Sequence, residues 1–402
     1  VPKLSLILLF AATTFAYTLP SRAVSELPPD LTNPSTAETN WTQVLVCPVE
    51  SPRTFQGNDH RYNLVYDLIV SNYNRQPSKI TKFEFLDGNN PTRTILSLSG
   101  KELDDVFTSI DGSKGAQISG GGTAVIWANL SFDKQADLPT KLLHRVSFDT
   151  PFIDGKTTSF SSVVAPLSVD KAPPVAIGHP LKGRWLVLGG YSSPLGHRRA
   201  LFPIDGKLVS AQTFAIDWIR LNKDNYVTVG DRTKNESSLS YNQPVLAVSD
   251  GTISGIVNQY DDQKPDQPTG ADRYYRPAGN SIELNMGNGY YAMYAHLLRN
   301  SMKVKEGEHV KKGQIIAMTG NSGNTTGPHL HLHITKGPSI LGSPGVPYVF
   351  EAFDQAGMIE VDSDQMEALD KEGKPEPVSH SALDGIHHKE LPKEGTVVAF
   401  PE

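Results

Sequence analysis

The chain has 402 residues, 38% of them hydrophobic and 20% charged, with a formal net charge of -6. That composition fits a soluble globular protein of two or three domains, and with no run of five like charges it offers no footing for nucleic acid or an anionic surface. The single cysteine, Cys47, excludes an intrachain disulfide and any site built on several thiolates; in Val44-Leu-Val-Cys47-Pro it reads as a small buried hydrophobe.

Lys3, an apolar stretch from Leu4 to about Ala16, and then Ser21-Arg22-Ala23 predict a removed secretion signal over residues 1–23, with an uncleaved N-terminal anchor as the alternative. The mature chain is then expected outside the cytoplasm, secreted or in the periplasmic cell envelope. No later segment has the roughly 18 uninterrupted apolar residues of a membrane span, so no stable membrane insertion is expected after cleavage. Residues 24–165 read as short strands separated by turn clusters: Tyr62–Ser71, Ile80–Leu86, Thr94–Leu98, Thr123–Phe132 and Leu143–Phe148. This spacing predicts an immunoglobulin-like β-sandwich, an accessory domain in which His60 and His144 have structural or surface roles. Residues 166–183, with Pro173-Pro174, form a linker.

The second domain, 184–355, is also predicted to be mainly β. Its strands are Arg184–Leu188, His197–Pro203, Leu208–Leu221, Val245–Val248, Thr252–Val257, Ser281–Met286, Tyr290–His296 and Gln314–Met318, and Asp205-Gly206 marks a hairpin. A C-terminal extension, 356–402, contains a possible last strand at Thr396–Phe400, and its His387-His388 pair reads as surface. The densest chemistry lies in Gly327-Pro-His-Leu-His-Leu-His333. As a strand, it sends His329, His331 and His333 to one face and Leu330, Leu332 and Ile334 to the other, so one face can hold a metal while the opposite one packs a core.

Three blocks in order carry a resemblance: Asn242-Gln-Pro-Val-Leu-Ala-Val-Ser-Asp-Gly-Thr-Ile, Gly289-Tyr-Tyr-Ala-Met-Tyr-Ala-His296, and Thr319-Gly-Asn-Ser-Gly…Thr326-Gly-Pro-His329-Leu-His331. Over about residues 195–350 the chain resembles the lysostaphin or LytM type of zinc endopeptidase. The resemblance implies a β-sheet groove with one zinc ion and hydrolysis of peptide bonds in peptidoglycan. It also implies that His331 and Asp217 are zinc ligands and that His296 and His329 are the catalytic pair. The first residue of the family's H-x-x-x-D ligand motif falls at Thr213, and a hydroxyl is a poor substitute for imidazole on zinc.

Hairpin geometry offers a replacement. A turn centred on Asp205-Gly206 pairs Ile204 with Lys207 and sets His197 opposite Thr213 or Phe214, on a shared face. His197 is thus the leading third ligand. His333 is its rival because it shares the face of His331, although two residues along a strand is a rise of about 6.6 Å and a shared ion needs bent geometry. Arg198 and Arg199 could meet a substrate carboxylate. The residue types suit the chemistry: zinc can lower the pKa of its bound water to about 7 and polarise a carbonyl. One neutral histidine can carry the proton while a second, as N–H donor, stabilises the oxyanion. Which of His296 and His329 does which stays open. So does a second reading prompted by Thr213, a degenerate LytM-like domain that binds peptidoglycan or regulates another envelope enzyme without cutting.

Overall fold

Burial alternates strictly along Lys141–Pro151, with Leu142, His144, Val146, Phe148 and Thr150 inward and their neighbours outward, the period-two pattern of a half-buried strand. The structure, a computed structural model, describes residues 42–402 apart from 153, 195, 268–274 and 361–362. The expected signal, 1–23, and the start of the expected sandwich lie outside the described residues.

Among the described residues, the first part of the chain forms two five-stranded sheets. One orders Val44–Pro48, Tyr62–Asn72, Thr123–Phe132 and Phe107–Ser109, with Phe55–Gln56 beside Tyr62–Asn72. The other orders Thr157–Ser168, Lys141–Pro151, Ser78–Asp87 and Asn90–Ser99, with Gln117–Ile118 beside Ser78–Asp87. Leu64, Leu68, Phe83, Phe85, Ile126 and Phe148 share one core between them. His144 is structural, as expected: its ring lies 2.8 Å from the Tyr66 hydroxyl and 2.9 Å from the Ala165 carbonyl. Cys47 departs from expectation and is exposed, because Val44 and Val46 take the inward positions of their strand and period two turns Leu45 and Cys47 outward. The expected linker is partly strand. Thr157–Ser168 runs past residue 165, and Val175–Ile177 pairs in parallel with Tyr348–Phe350.

The second sheet system has eleven strands among the described residues. Its order is His309–Val310, Gly251–Val257, Ser281–Gly287, Tyr290–Ala295, Leu330–Lys336, Ile216–Arg220, Gly183–Leu188, Thr396–Phe400, Phe353–Ile359 and Val378–Ser379, with Gly385–His387 alongside Phe353–Ile359. Thr396–Phe400, expected as a last strand, pairs antiparallel with Gly183–Leu188, so the C-terminal segment completes this sheet instead of trailing from it. His387 is accordingly buried, against the surface role expected of it, while His388 is exposed.

Leu330, Leu332 and Ile334 pack with Ile216, Trp218 and Tyr294 in a core that also takes in Phe55 and Val65 from the first part of the chain. Phe55 meets Tyr191 and Phe214 edge-on, with ring centroids 4.7 and 5.5 Å apart. Residues 42–402 therefore form one compact unit. No helix among the described residues is long and apolar enough to cross a membrane.

Candidate metal centre and active site

Strand register assembles the site. Asp217 lies opposite His331 where Ile216–Arg220 pairs with Leu330–Lys336, and Ala295 lies opposite His331 on the other side. Directly opposed residues share a face with Cβ atoms about 4.5–5.5 Å apart, so Asp217 and His331 point together. His296, one residue beyond Ala295, has φ 60°, in the left-handed region, and there the backbone leaves the strand. Its carbonyl accepts from Gly320 N–H at 3.0 Å, and Gly320 bridges to His329. This brings the His296 and His329 rings to a centroid separation of 4.6 Å.

His197 comes to the same place by another route. Its Nε2 is 3.5 Å from Asp217 Oδ2, its ring meets that of His331 edge-on at 4.6 Å, and the ligand atoms of His197, Asp217 and His331 all lie within 4.8 Å of one another. The hairpin pairs Ile204 with Lys207 as expected, but it spans only Phe202–Ile204 and Lys207–Val209. His197 is therefore not opposite Thr213 or Phe214. It lies in the short 3-10 turn Gly196–Arg199.

Two features hold that turn. Leu188 pairs with Asp217, which brings Gly189 under the imidazole. At φ 71° a Cβ there would stand 2.5 Å from His197 Nδ1, so close approach and backbone conformation both call for glycine. The buried Arg198 donates to Asp67, to the Tyr66 carbonyl at 3.1 Å and to the Ala128 carbonyl at 2.9 Å, with its guanidinium 5.5 Å over the Trp127 ring. Arg199 donates to the Asp105 carbonyl. Both arginines thus grip the first part of the chain, neither left to solvent nor free for the substrate carboxylate that the sequence had offered as a possible partner. Thr213 is engaged elsewhere: its hydroxyl is 2.5 Å from that of Ser210, which donates to Asp67 at 2.7 Å.

Hydrogen-bond direction tests whether a cation fits. The Ile340 carbonyl, 2.9 Å from His333 Nε2, only accepts, so His333 donates there and in its neutral form offers Nδ1 as an acceptor. His331 Nε2, 2.8 Å away, must then donate to it, which leaves a neutral His331 with a bare Nδ1 2.9 Å from Asp217 Oδ1. Burial pushes His331 down to about 3 in spite of Asp217, and His333 down to about 4, so both rings are neutral near pH 7. Burial opposes ionisation of Asp217, but His197, His329 and His331 outweigh it and hold the carboxyl well below the usual range. The bare nitrogen faces a partly buried carboxylate oxygen, and a cation held between the two atoms would satisfy both.

The donor set of two imidazoles and a carboxylate suits zinc with an open position, and the His331–His333–Ile340 relay is the kind of outer contact that fixes a ligating tautomer. His333 has both ring nitrogens occupied and fits this outer role better than that of third ligand. Sequence reasoning did not find Gly189, the Asp67–Arg198 pair or the backbone carbonyls that orient the rings. Only the Gly189-Gly pair before a turn gave any hint of them.

His296 Nδ1 is 2.8 Å from the Ser322 carbonyl and His329 Nδ1 is 2.8 Å from the Gly327 carbonyl. Both therefore donate through Nδ1 and turn Nε2 into the site, where His329 Nε2 is 3.3 Å from Asp217 Oδ1. A cavity of about 290 Å³ opens beside Asp217 and His329, with Met366 and Asp370 of the Ser363–Lys371 helix on its wall.

With this geometry in view, residues 236–341 match the model of Peptidase family M23. His296, His329 and His331 fall inside the matched stretch, and His197 and Asp217 precede it. The chain is similar to an uncharacterised metalloprotease of Haemophilus influenzae, 39% identical over 94 residues, which is 23% of this chain and 16% of that protein. It is also similar to the peptidoglycan DD-endopeptidase ShyA of Vibrio cholerae, 44% identical over 57 residues, 14% of this chain and 13% of that protein. The chain thus spans well under a fifth of the length of these two relatives. Among solved structures, the catalytic domain of lysostaphin from Staphylococcus simulans aligns at 22% identity and a TM-score of 0.21, covering 42% of this chain and 86% of that one. Residues 236–341 are thus similar to peptidases of family M23.

Proposed function

We propose that this chain is a zinc-dependent endopeptidase that hydrolyses peptide bonds in peptidoglycan, acting outside the cytoplasm in the cell envelope. The observation that carries the proposal is the convergence of His197, Asp217 and His331, with His331 turning an unprotonated nitrogen toward the carboxylate. His197 would replace the ligand missing at Thr213, which removes the main reason to read the domain as degenerate. The relatives named as peptidoglycan endopeptidases supply the substrate class.

Zinc held by His197, Asp217 and His331 would supply Lewis acidity toward the scissile carbonyl and the attacking water. The chain's own groups do the rest. His296 and His329, each fixed by an Nδ1–H bond to a backbone carbonyl, present Nε2 to the reacting atoms. A neutral ring accepts a proton from water at Nε2 and returns it to the leaving amine; a ring protonated at Nε2 donates to the oxyanion. The cavity beside Asp217 and His329 gives an extended polypeptide a way in.

The test is digestion of purified sacculi by the full chain, with new peptide ends read by mass spectrometry. New amino and carboxyl ends within the sacculus peptides, whose appearance a chelator stops and zinc restores, are expected. His296→Ala and His329→Ala should each lower turnover by about 10²–10⁴-fold while zinc content stays at the parent level. A zinc-loaded chain that binds sacculi and releases nothing would overturn the proposal in favour of a binding or regulatory domain.

A further inference from the structure

Away from this site, His60, His387 and Glu390 bring three ligand atoms within 4.8 Å of one another. His60 lies in the turn between Phe55–Gln56 and Tyr62–Asn72, while His387 ends Gly385–His387 and Glu390 follows shortly after. The carboxylate is used on both oxygens: Oε1 is 2.7 Å from His60 Nδ1 and Oε2 is 2.5 Å from His387 Nδ1. His387 Nε2 is 2.7 Å from the Leu383 carbonyl, which only accepts, so this nitrogen carries the hydrogen and neutral His387 faces Glu390 with a bare Nδ1. The arrangement resembles that of His331, whose tautomer the Ile340 carbonyl fixes by way of His333: in both, the free nitrogen is aimed at a carboxylate.

The His60 and His387 rings stack at 5.4 Å, and Phe353 covers His387 at 5.1 Å. His387 and Glu390 are buried, but the His60 side chain is 61% exposed, which leaves one side of the cluster open for an ion to enter and keep water. His60 has φ 61°, a conformation a non-glycine residue holds only when its surroundings fix it.

We infer that His60, His387 and Glu390 form a second metal site, for a divalent transition ion such as zinc, that clamps the sandwich to the C-terminal strands. Two imidazoles and a carboxylate are a donor set that zinc and its neighbours accept. Residues 60 and 390 are 330 positions apart, so the ion closes a very long loop in a chain whose single cysteine cannot form a disulfide within it. The contact does not depend on the ion alone. Asn58 donates to Gln355 at 2.6 Å and to Thr396 at 3.0 Å, so losing the His60 ring leaves the interface in place.

The test counts zinc per chain in the full protein after metal stripping, reloading and desalting. Two ions are expected in the parent, one in His331→Ala, one in His60→Ala and none in the double variant. In the His331→Ala background, zinc should raise the melting temperature, and His60→Ala or His60→Gln should abolish the rise. His60→Ala alone should digest sacculi as the parent does. If the His331→Ala variant binds no zinc, or if its melting temperature ignores zinc, the cluster holds only a proton and the inference falls. The two sites are scored by different variants, so failure of the first would still leave a zinc that His60→Ala removes.

Discussion

Replacing His197 by alanine is expected to lower zinc affinity by more than about a hundredfold, because loss of a contact one shell further out already costs about 10–100-fold and this change removes one of three ligands. Competition against a chromophoric chelator reads the effect directly. Gly189→Ala should give a weaker version of the same loss, since its Cβ would stand 2.5 Å from His197 Nδ1 and push the ring from its place. Thr213→Ala should leave affinity at the parent value, its hydroxyl being engaged by Ser210. Parent affinity in His197→Ala, together with loss in His333→Ala, would show that the rival histidine is the ligand.

Asp67→Ala is expected to destabilise the protein by about 3–5 kcal/mol, because it strands the Arg198 guanidinium without a counter-charge in a buried place. Both side chains are nearly inaccessible, at 2% for Asp67 and 4% for Arg198. Urea unfolding measures the loss. A second consequence separates a positioning role from a purely structural one. Arg198 is the neighbour of His197, so folded Asp67→Ala protein should also bind zinc more weakly. The double change Asp67→Leu/Arg198→Met, which replaces the pair by apolar groups, should recover much of the stability. If folded Asp67→Ala binds zinc as the parent does, the Asp67–Arg198 pair supports the fold and has no part in placing the ligand.

This dependence explains what was legible in the sequence. The alternation of His329, His331 and His333 with Leu330, Leu332 and Ile334 gave the two faces of the central strand, because a strand's period is a local property. Asp217 and His296 came from motif resemblance, and their meeting with His331 followed from register. His197 could be named as a candidate only by a wrong route, a long hairpin. The turn that carries it is set by contacts with Asp67, Tyr66 and Ala128, more than 60 positions away, and no local pattern encodes such contacts. Cys47 and His387 were misplaced for a related reason. Facing of a short edge strand and burial of a polar C-terminal segment depend on which sheet each joins, and Gly385–His387 joins the sheet of the site.

Diffraction from zinc-loaded crystals at the zinc absorption edge tests the central claim most directly. The account predicts an anomalous peak bonded to His197 Nε2, the Asp217 carboxylate and His331 Nδ1, with the Nε2 atoms of His296 and His329 uncoordinated beside it. A peak bonded to His333 in place of His197, or no peak within bonding reach of both Asp217 and His331, would contradict it.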